Sequence, residues 1–382
     1  MAGLYIHVPF CVKRCIYCDF YSNTDMSYKD DYLLALLKEM EFRRDYLKGE
    51  NINSVYFGGG TPSLLNVRDF ERLFNCMYNL FPFSSHPEVT MEANPDDLSD
   101  EYIASLRTLP FNRISIGIQS FNEMELAFLN RRHTATEAIR SVYRCKEAGF
   151  DNISIDLIYG LPGQLAGDWS HNIEKAVELD VAHLSAYHLT CEEGTPLYRM
   201  SREGKIAPVD DDTGELFFRM LKDRLEKEGF IHYEISNFAG STPFYPDGRI
   251  SFHNASYWNG TYYMGIGPSA HSYDGNTRSW NVSSVSRYIR ALNEESELPA
   301  EYELLDERTK YNDFVITRLR TRWGISLEEL EKMFGEEKKR WFLAKLKPFL
   351  CSEKLNVEGG FVKIQPDGLF VSDAIIRELI AV

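Results

Sequence analysis

The sequence predicts an α/β protein built on a central parallel sheet, followed by a smaller α+β domain towards the C-terminus. In the first 235 residues, six short runs of apolar, β-branched or aromatic residues alternate with six segments of helical periodicity. After residue 300 the order changes to helices followed by short strand-like runs. Because successive β-then-α units need crossovers covered by helices, the sheet is either open and doubly wound or closed into a full or partial barrel.

The strand-like runs of the first part are short, and helical segments separate them. The runs span residues 4–8, 54–57, 88–92, 113–118, 153–159 and 183–189. The helical segments span residues 28–46, 69–80, 100–109, 136–148, 168–179 and 211–227. Several of these segments begin at Ser, Thr or Asp, the residues that cap helix starts. We therefore predict one large domain over residues 1–235.

Two further regions are predicted in the rest of the chain. Residues 236–300 are rich in aromatic residues and glycine without clean periodicity, so we expect an irregular connecting region there. Residues 301–382 hold helical stretches at 306–322, 327–333 and 336–349, then strand-like runs at 355–357, 361–364 and 369–371. A hairpin turn is predicted at 358–360, where two glycines adjoin. This order resembles a winged helix.

Composition excludes several classes of protein. The formal net charge is −15, from 57 acidic and 42 basic residues, so long-range repulsion argues against nucleic acid as a partner. No apolar stretch reaches the roughly 20 residues of a spanning helix, and residues 1–10 lack the pattern of a secretory signal. Three of the seven cysteines fall within residues 11–18, which favours a metal centre over a disulfide framework. We therefore expect a cytoplasmic protein.

Residues able to do chemistry follow the predicted strands. The carboxyl ends of parallel strands meet at one edge of a sheet or one mouth of a barrel, where function gathers. The candidates at these ends, in chain order, are Cys11, Gly58, Gly59, Gly60, Thr61, Glu92, Gln119 and Asp156. Five strands would thus direct polar groups to a single site.

Cys11, Cys15 and Cys18 are spaced so that one loop can place three thiolates around one metal centre. Zinc is one alternative, but a structural zinc site needs a fourth ligand, for which His7 is the only nearby candidate. A 4Fe-4S cluster is the other alternative, and three thiolates leave one of its irons open. An open iron can bind the methionine end of S-adenosylmethionine, whose reductive cleavage yields a radical that abstracts hydrogen. The spacing alone leaves both metals open.

Longer motifs resemble a known family. The cysteine pattern with Asp19-Phe20, and the run Tyr56-Phe57-Gly58-Gly59-Gly60-Thr61-Pro62, are similar to the radical S-adenosylmethionine superfamily. Further motifs resemble the oxygen-independent coproporphyrinogen III oxidase family: Glu92-Ala93-Asn94-Pro95, Gly117-Ile118-Gln119-Ser120-Phe121, Asn130-Arg131 and Ile155-Asp156-Leu157-Ile158-Tyr159-Gly160-Leu161-Pro162. The resemblance implies a partial (β/α)6 TIM-like barrel with a 4Fe-4S cluster and S-adenosylmethionine, and a small C-terminal domain of the oxidase type.

The resemblance also implies roles for individual residues. Cys11, Cys15 and Cys18 would hold the cluster, and residues 58–60 would bind the methionine amino group, since glycine lets the backbone approach closely. A carboxylate suits an ammonium or ribose hydroxyls, and an arginine suits a carboxylate. The positions implied to contact S-adenosylmethionine are Tyr5, Tyr17, Gly59, Gly60, Thr61, Glu92, Gln119, Arg131 and Asp156.

Two features indicate the branch of the family. The decarboxylating oxidase carries a further cysteine two residues after its third cluster ligand, where this chain has Phe20. His253-Asn254-Ala255-Ser256-Tyr257-Trp258 is similar to the signature of the heme chaperone branch. That branch implies a protein that binds heme, can form a homodimer and delivers heme to respiratory proteins at the membrane.

His253 is the candidate heme ligand, because imidazole binds heme iron and Tyr257 and Trp258 could pack on the flat macrocycle. His271 is a second candidate. The residues alone favour the alternative that the rings are buried in the core and that the histidine is a hydrogen-bonded structural group. The alternative function is an oxygen-independent coproporphyrinogen III oxidase of porphyrin biosynthesis. A radical enzyme acting on tRNA is disfavoured by the acidic charge and the lack of an RNA-binding module.

Overall fold

The computed structural model describes residues 1–381, and six parallel strands covered by helices form its largest part. The strands are β1 (Ala2–Val8), β2 (Ile52–Gly59), β3 (Phe83–Ala93), β4 (Arg113–Gln119), β5 (Ile153–Tyr159) and β6 (His183–His188). The helices are α1 (Lys29–Phe42), α2 (Val67–Leu80), α3 (Asp100–Leu106), α4 (Glu123–Phe128), α5 (Ala135–Glu147), α6 (Ala166–Glu178), α7 (Pro196–Arg202) and α8 (Asp211–Lys227).

The order of the strands decides between the two predicted architectures. Each strand from β1 to β6 pairs in parallel with the next one along the chain. A doubly wound sheet reverses its order at a switch point, whereas this order does not reverse. The prediction of a partial (β/α)6 TIM-like barrel is therefore confirmed, and the open doubly wound alternative is wrong.

The two faces of the strands differ in polarity. Leu4, Ile6 and Val8 of β1 are fully buried, and they belong to the apolar core between sheet and helices. Tyr5 and His7 alternate with them and form hydrogen bonds inside the barrel. The barrel interior is thus polar, which is unusual for a core and indicates that its groups serve a site.

The expectation of an irregular region over residues 236–300 is wrong, because this part extends the sheet at both edges. Its elements are β8 (Asn237–Gly240), α9 (Phe252–Trp258), β9 (Tyr262–Ile266), β10 (His271–Tyr273), β11 (Thr277–Asn281), α10 (Val285–Arg290) and β12 (Ala300–Leu304), with β7 (Phe230–Glu234) just before them. The sheet order is β12-β11-β10-β9-β1-β2-β3-β4-β5-β6-β8-β7. These strands have only three to five residues, too few to show periodicity.

Helix α9 closes the barrel at the amino-terminal ends of the strands. The carboxylate of Glu88, in β3, accepts hydrogen bonds from the backbone N–H of Phe252 (3.0 Å) and of His253 (2.8 Å). Ser251 caps the same helix by accepting from the N–H of Asn254 at 3.3 Å. The barrel therefore has one end closed by α9 and one end, at the strand carboxyl termini, left for a site.

The C-terminal part has a small sheet and its own apolar core. Its elements are α11 (Glu307–Leu319), β13 (Ile325–Ser326), α12 (Leu327–Cys351), β14 (Leu355–Glu358), β15 (Phe361–Ile364) and α13 (Ser372–Leu379). The antiparallel sheet has the order β13-β15-β14. Gly335 interrupts α12 with a φ of 82°, and Gly359 and Gly360 form the predicted hairpin turn with φ angles of 57° and 82°.

This α+β arrangement agrees with the predicted small C-terminal domain. The limits at residues 235 and 300 stay a prediction, and β12 spans the second of them. Among residues 1–381, none of the helices is both long enough and apolar enough to cross a membrane.

Candidate functional site

A cavity of about 380 Å³ opens at the carboxyl ends of the barrel strands. Residues from five of the six parallel strands, and from the loops after them, line it. Among the sequence-predicted site residues, the lining includes Cys11, Cys15, Tyr17, Cys18, Gly59, Gly60, Thr61, Glu92, Gln119, Arg131 and Asp156. The predicted residues that do not line it are Tyr5, Gly58, His253 and His271.

The three cysteines lie on one loop between β1 and α1. The loop is closed at its base, where the N–H of Cys11 donates to the carbonyl of Asn23 (3.0 Å) and the N–H of Asn23 donates to the carbonyl of Pro9 (2.6 Å). Burial raises the pKa of the Cys11 thiol and raises that of Cys18 to about 11. Among residues 1–381, no three Cys, His, Asp or Glu side chains lie close enough together to hold a metal ion. The thiols thus share one cavity without forming a closed site.

His7, the candidate fourth ligand of a zinc site, is already bound on both ring nitrogens. Its Nε2–H donates to the carbonyl oxygen of Tyr21 (2.9 Å), and its Nδ1 accepts from the hydroxyl of Tyr5 (3.1 Å). His7 is 4% exposed. Three cysteines beside open space, with the His7 imidazole occupied, fit a cluster with one free iron better than a tetrahedral zinc site completed by His7.

The backbone at Gly59 and Gly60 lies too close to neighbouring groups to leave room for a side chain. Gly59 has a φ of 106°, and a Cβ at this position would lie 2.5 Å from the ring of His7. A Cβ at Gly60 would lie 2.6 Å from the carbonyl oxygen of Phe10. Both positions therefore require glycine, and they let the backbone after β2 face the cavity.

Glu92 and Asp156 place two carboxylates on the cavity wall. Glu92 accepts hydrogen bonds from the Tyr56 hydroxyl (2.8 Å) and the Gly59 N–H (3.1 Å). The Ser115 hydroxyl lies 3.3 Å and 3.4 Å from the two oxygens of Asp156. Burial raises the pKa of Glu92 to about 7, with Asp156 adding to the rise, and raises the pKa of Asp156 to about 6. Such shifted carboxyl groups in a cavity are typical of a binding or catalytic site.

Arg131 connects the cysteine loop to the barrel wall. Its Nη1 lies 3.3 Å from Cys15 Sγ, and its Nη2 donates to Asn94 Oδ1 (2.7 Å) and to the carbonyl of Gly117 (2.5 Å). Its Nε is buried and has no hydrogen-bond partner among residues 1–381. A buried donor without a partner is costly, so this group has capacity to bind a ligand.

Gln119 and Tyr17 complete the predicted lining. Gln119 ends β4 with a φ of 71°, a left-handed conformation that is strained for a residue with a side chain. Tyr17 lies between two of the cysteines, and burial raises the pKa of its hydroxyl. Backbone strain at a cavity wall is a common mark of a functional position.

Tyr5 lies one layer below the cavity. Its ring stacks near that of Tyr56, with centroids 6.2 Å apart, and its hydroxyl is hydrogen-bonded to His7. A Cβ at Gly58 would lie 3.0 Å from this ring. The structure therefore does not bring Tyr5 to the cavity with the other predicted residues.

The position predicted for His253 needs correction, because it lies on no irregular loop and reaches no open surface. His253 is 2% exposed within α9, at the closed end of the barrel. Its Nδ1 shares a hydrogen bond of 2.8 Å with Ser54 Oγ, and its Nε2 shares one of 2.9 Å with the Tyr257 hydroxyl. Burial lowers the pKa of His253 to about 3. Both atoms that could ligate iron are occupied, since helix formation turns the ring into the barrel.

The second heme candidate, His271, is exposed on β10 and stacks near Trp280, with ring centroids 6.0 Å apart. Neither histidine lines the cavity.

Several lining residues were not singled out from the sequence. Asn94 donates a hydrogen bond to Thr61 Oγ1 at 3.2 Å and accepts one from Arg131. It therefore fixes the orientation of both side chains. Ser115, Tyr187 and His188 also line the cavity, and His188 Nε2 is buried without a partner among residues 1–381. Tyr187 and His188 end β6, so the rule that function follows strand ends could have found them.

The comparisons with known proteins agree with this geometry. Residues 5–176 match the radical SAM superfamily, and residues 305–371 match the HemN C-terminal domain. The first match implies a 4Fe-4S cluster and S-adenosylmethionine. A heme chaperone HemW from Mycobacterium tuberculosis is 34% identical over 382 residues, which cover 99% of this chain and 94% of the relative. A heme chaperone HemW from Lactococcus lactis is 36% identical over 86% of this chain and 84% of the relative.

The fold also matches a solved structure. Coproporphyrinogen III oxidase (HemN) from Escherichia coli, described as a radical SAM enzyme, superimposes with a TM-score of 0.83 over 100% of this chain and 90% of that chain. The sequence identity is 22%, so the likeness is one of fold.

Proposed function

Because the chain belongs to the HemW family within the radical SAM superfamily, we propose that it is a heme chaperone of the cytoplasm. It would hold a 4Fe-4S cluster on Cys11, Cys15 and Cys18, bind S-adenosylmethionine in the cavity, bind heme, and deliver the heme to accepting proteins at the membrane.

The observation that carries the proposal is the cavity itself. Three thiols without a fourth protein ligand face the same space as two carboxylates, Glu92 and Asp156. A cluster with three protein thiolates keeps one iron free for an exogenous ligand, and when bound it supplies one-electron reduction. The carboxylates would bind the positively charged end of S-adenosylmethionine, as well as ribose hydroxyls.

The remaining predicted residues would position the ligand. Gly59 and Gly60 expose backbone groups where a side chain would clash. Arg131 has a free Nε for the ligand carboxylate, and Asn94 holds this arginine in place. Tyr17, Thr61 and Gln119 line the same space. A direct contact from Tyr5 would require its ring to rise by one layer, so we propose that it supports His7 and Gly58 from below.

Phe20 favours a chaperone over a decarboxylating oxidase. It occupies the position where the oxidase family has a cysteine, and it lines the cavity with 65% of its surface exposed. Ile158 and Leu189 add apolar surface to the same cavity, which suits the flat face of a porphyrin.

The experiment that tests this function is anaerobic incubation of the cluster-loaded protein with S-adenosylmethionine, a reductant and either heme or coproporphyrinogen III. We expect stoichiometric heme binding, seen as a shifted Soret band, and no vinyl products from coproporphyrinogen III. Heme transfer is then measured by adding an apo-protein that accepts heme, with free heme at the same concentration as the control. Vinyl products formed only with S-adenosylmethionine and reductant would instead establish the oxidase, and absence of heme binding would refute the chaperone.

A further inference from the structure

Arg113 is a charged residue enclosed in the barrel below the cavity. It is the first residue of β4, and its side chain is 1% exposed. Two of its guanidinium nitrogens, Nε and Nη1, have no hydrogen-bond partner among residues 1–381. A guanidinium keeps its proton in proteins, so burial cannot neutralise it. Such a buried cation needs negative charge close by.

The register of the strands locates Arg113 relative to the cavity. Across β3 and β4, Arg113 pairs with Thr90, and Ser115 pairs with Glu92. Residues two apart on a strand share a face and lie about 7 Å apart along it. Arg113 is therefore one layer below Ser115, whose hydroxyl contacts Asp156. Glu92 therefore lies in the layer directly above Arg113, and Asp156 contacts that layer through Ser115.

The closed end of the barrel offers no counter-charge to Arg113. His253 shares hydrogen bonds with Ser54 and Tyr257, and His183 shares hydrogen bonds of 2.7 Å and 2.8 Å with the hydroxyls of Ser154 and Tyr233. Burial, and after it the charge of Arg113, lowers the pKa of both imidazoles, to about 3 for His253. Both rings are therefore neutral at physiological pH.

Glu88, the carboxylate at that end, is engaged elsewhere. It accepts hydrogen bonds from the backbone N–H groups of Phe252 and His253 at the start of α9. Glu234, a second buried carboxylate close to Tyr233, accepts hydrogen bonds from Asn237 and from the N–H of Ser236, and the charge of Arg320 acts on it. The negative charge that balances Arg113 therefore comes from the cavity side.

We propose that Arg113 is a positioning residue that keeps Glu92 and Asp156 ionised, and thereby makes the cavity floor anionic towards the ammonium and sulfonium of S-adenosylmethionine. This inference rests on the proposed function, because it concerns the same ligand. Arg113 itself does not touch the ligand, since it lies a layer below the residues that line the cavity.

The other groups that face the two carboxylates do not replace this charge. Glu92 faces Tyr56, Tyr5 and Tyr257, which are neutral hydroxyls, and it faces Asp156, which repels it. Asp156 also faces Tyr187 and Arg131. Arg131, which is held by Cys15, Asn94 and the carbonyl of Gly117, also lowers the pKa of Asp156, but by less than Arg113 does. Burial raises the pKa of both carboxyl groups, and Arg113 acts in the opposite direction on both.

The test is the pH profile of S-adenosylmethionine affinity, measured by anaerobic calorimetry on cluster-loaded protein from about pH 6 to about pH 9. In the parent, we expect affinity to fall as the pH drops through about 7, where Glu92 takes up a proton. In Arg113→Gln, we expect the midpoint of this fall to move up by about one pH unit, with affinity close to that of the parent at the alkaline end. Arg113→Lys keeps the charge and should retain the parent profile.

The controls separate this inference from a folding defect and from the proposed function. Arg224→Gln removes an arginine that pairs with Glu174 on the outer helices, and its profile should match the parent. Iron and sulfide content is measured in every variant. An equal loss of affinity at every pH in Arg113→Gln, an unshifted midpoint, or a uniform loss in Arg113→Lys would overturn the inference. Failure of the parent itself to bind S-adenosylmethionine would refute the proposed function instead.

Discussion

The two ends of the barrel differ in whether their buried polar side chains have hydrogen-bond partners. At the end closed by α9, His253 and His183 have both ring nitrogens hydrogen-bonded to neutral hydroxyls. At the cavity end, Arg131 Nε and His188 Nε2 are buried without partners among residues 1–381, and Glu92 and Asp156 have raised pKa values. Since an unpaired buried group costs free energy, unused hydrogen-bonding capacity on a cavity wall marks where a ligand belongs. The motif at residues 253–258, which resembles the heme chaperone signature, lies at the end where the histidine nitrogens have partners.

The largest effect is expected from the cysteine loop at the cavity end. Replacing Cys11, Cys15 and Cys18 together by alanine should abolish iron and sulfide binding after anaerobic reconstitution, because the protein then has no thiolate at the cavity. Cys145→Ala is the control, since this buried residue lies in α5 away from the cavity. Full cluster content in the triple variant would refute the assignment, and stoichiometric zinc in the native protein would support the zinc site.

A loss of stability is expected at the closed end. His253→Ala removes two hydrogen bonds and leaves a buried space, so the free energy of unfolding should fall by about 3 kcal/mol in urea denaturation. Tyr257→Phe removes one of the same bonds and should cost about 1 kcal/mol. His171→Ala, at an exposed site in α6, should be neutral within about 0.5 kcal/mol.

The same variants test whether His253 is a heme ligand. Since both of its nitrogens are occupied, we expect the Soret band of bound heme to be unchanged in His253→Ala. A Soret band altered by His253→Ala but not by Tyr257→Phe would show that the closed end opens to the porphyrin, and it would break the contrast between the two ends.

A smaller effect is expected from one carboxylate of the cavity. Asp156→Asn keeps a hydrogen-bond partner for Ser115 but removes the charge, so S-adenosylmethionine affinity should fall by about tenfold, or about 1.4 kcal/mol. Asp151→Asn is the matched control, because Asp151 precedes the same strand and pairs with Arg249 at the protein surface. Calorimetry with the cluster intact measures both, and equal affinity in Asp156→Asn and the parent would remove Asp156 from the site.

The smallest effect is a dependence of stability on pH. The pKa of Glu92 is raised to about 7 in the folded protein, so its contribution to stability is fully present below its unfolded value and is lost as the pH rises through 7. Glu92→Gln does not titrate. The free energy of unfolding of this variant, relative to the metal-free parent, should therefore rise by roughly 1 kcal/mol between about pH 6 and about pH 8. A difference that does not change with pH would show that Glu92 is not perturbed.

Much of the barrel could be predicted from the sequence because each strand combines β-branched residues with a following helix. The run at residues 153–159 coincides with β5, and the segment at 211–227 coincides with α8. In contrast, β9 and β10 have five and three residues and are held by pairing with β1 and β11, which are distant in the chain. Strands held by such long-range pairing have no local sequence pattern from which they could be predicted.

The candidate site was predictable where its residues follow strands, and less so elsewhere. Glu92 and Asp156 are found from strand position, whereas Asn94 acts through hydrogen bonds to other side chains. Arg113 begins a strand, so the rule that function follows strand ends directs attention away from it. The surroundings of His253 are not predictable from the sequence, because its helix α9 has only seven residues. So short a helix shows no clear periodicity, and the sequence therefore does not indicate the direction of the imidazole ring.

The most direct test of the account is electron paramagnetic resonance of the reduced, reconstituted protein before and after addition of S-adenosylmethionine. We expect a 4Fe-4S signal that changes on addition, because the ligand would bind the open iron at the cavity. The change should require more S-adenosylmethionine in Asp156→Asn and the same amount in Asp151→Asn. A cluster signal that S-adenosylmethionine leaves unaltered at saturating concentration, or protein that holds zinc and no cluster, would contradict the account.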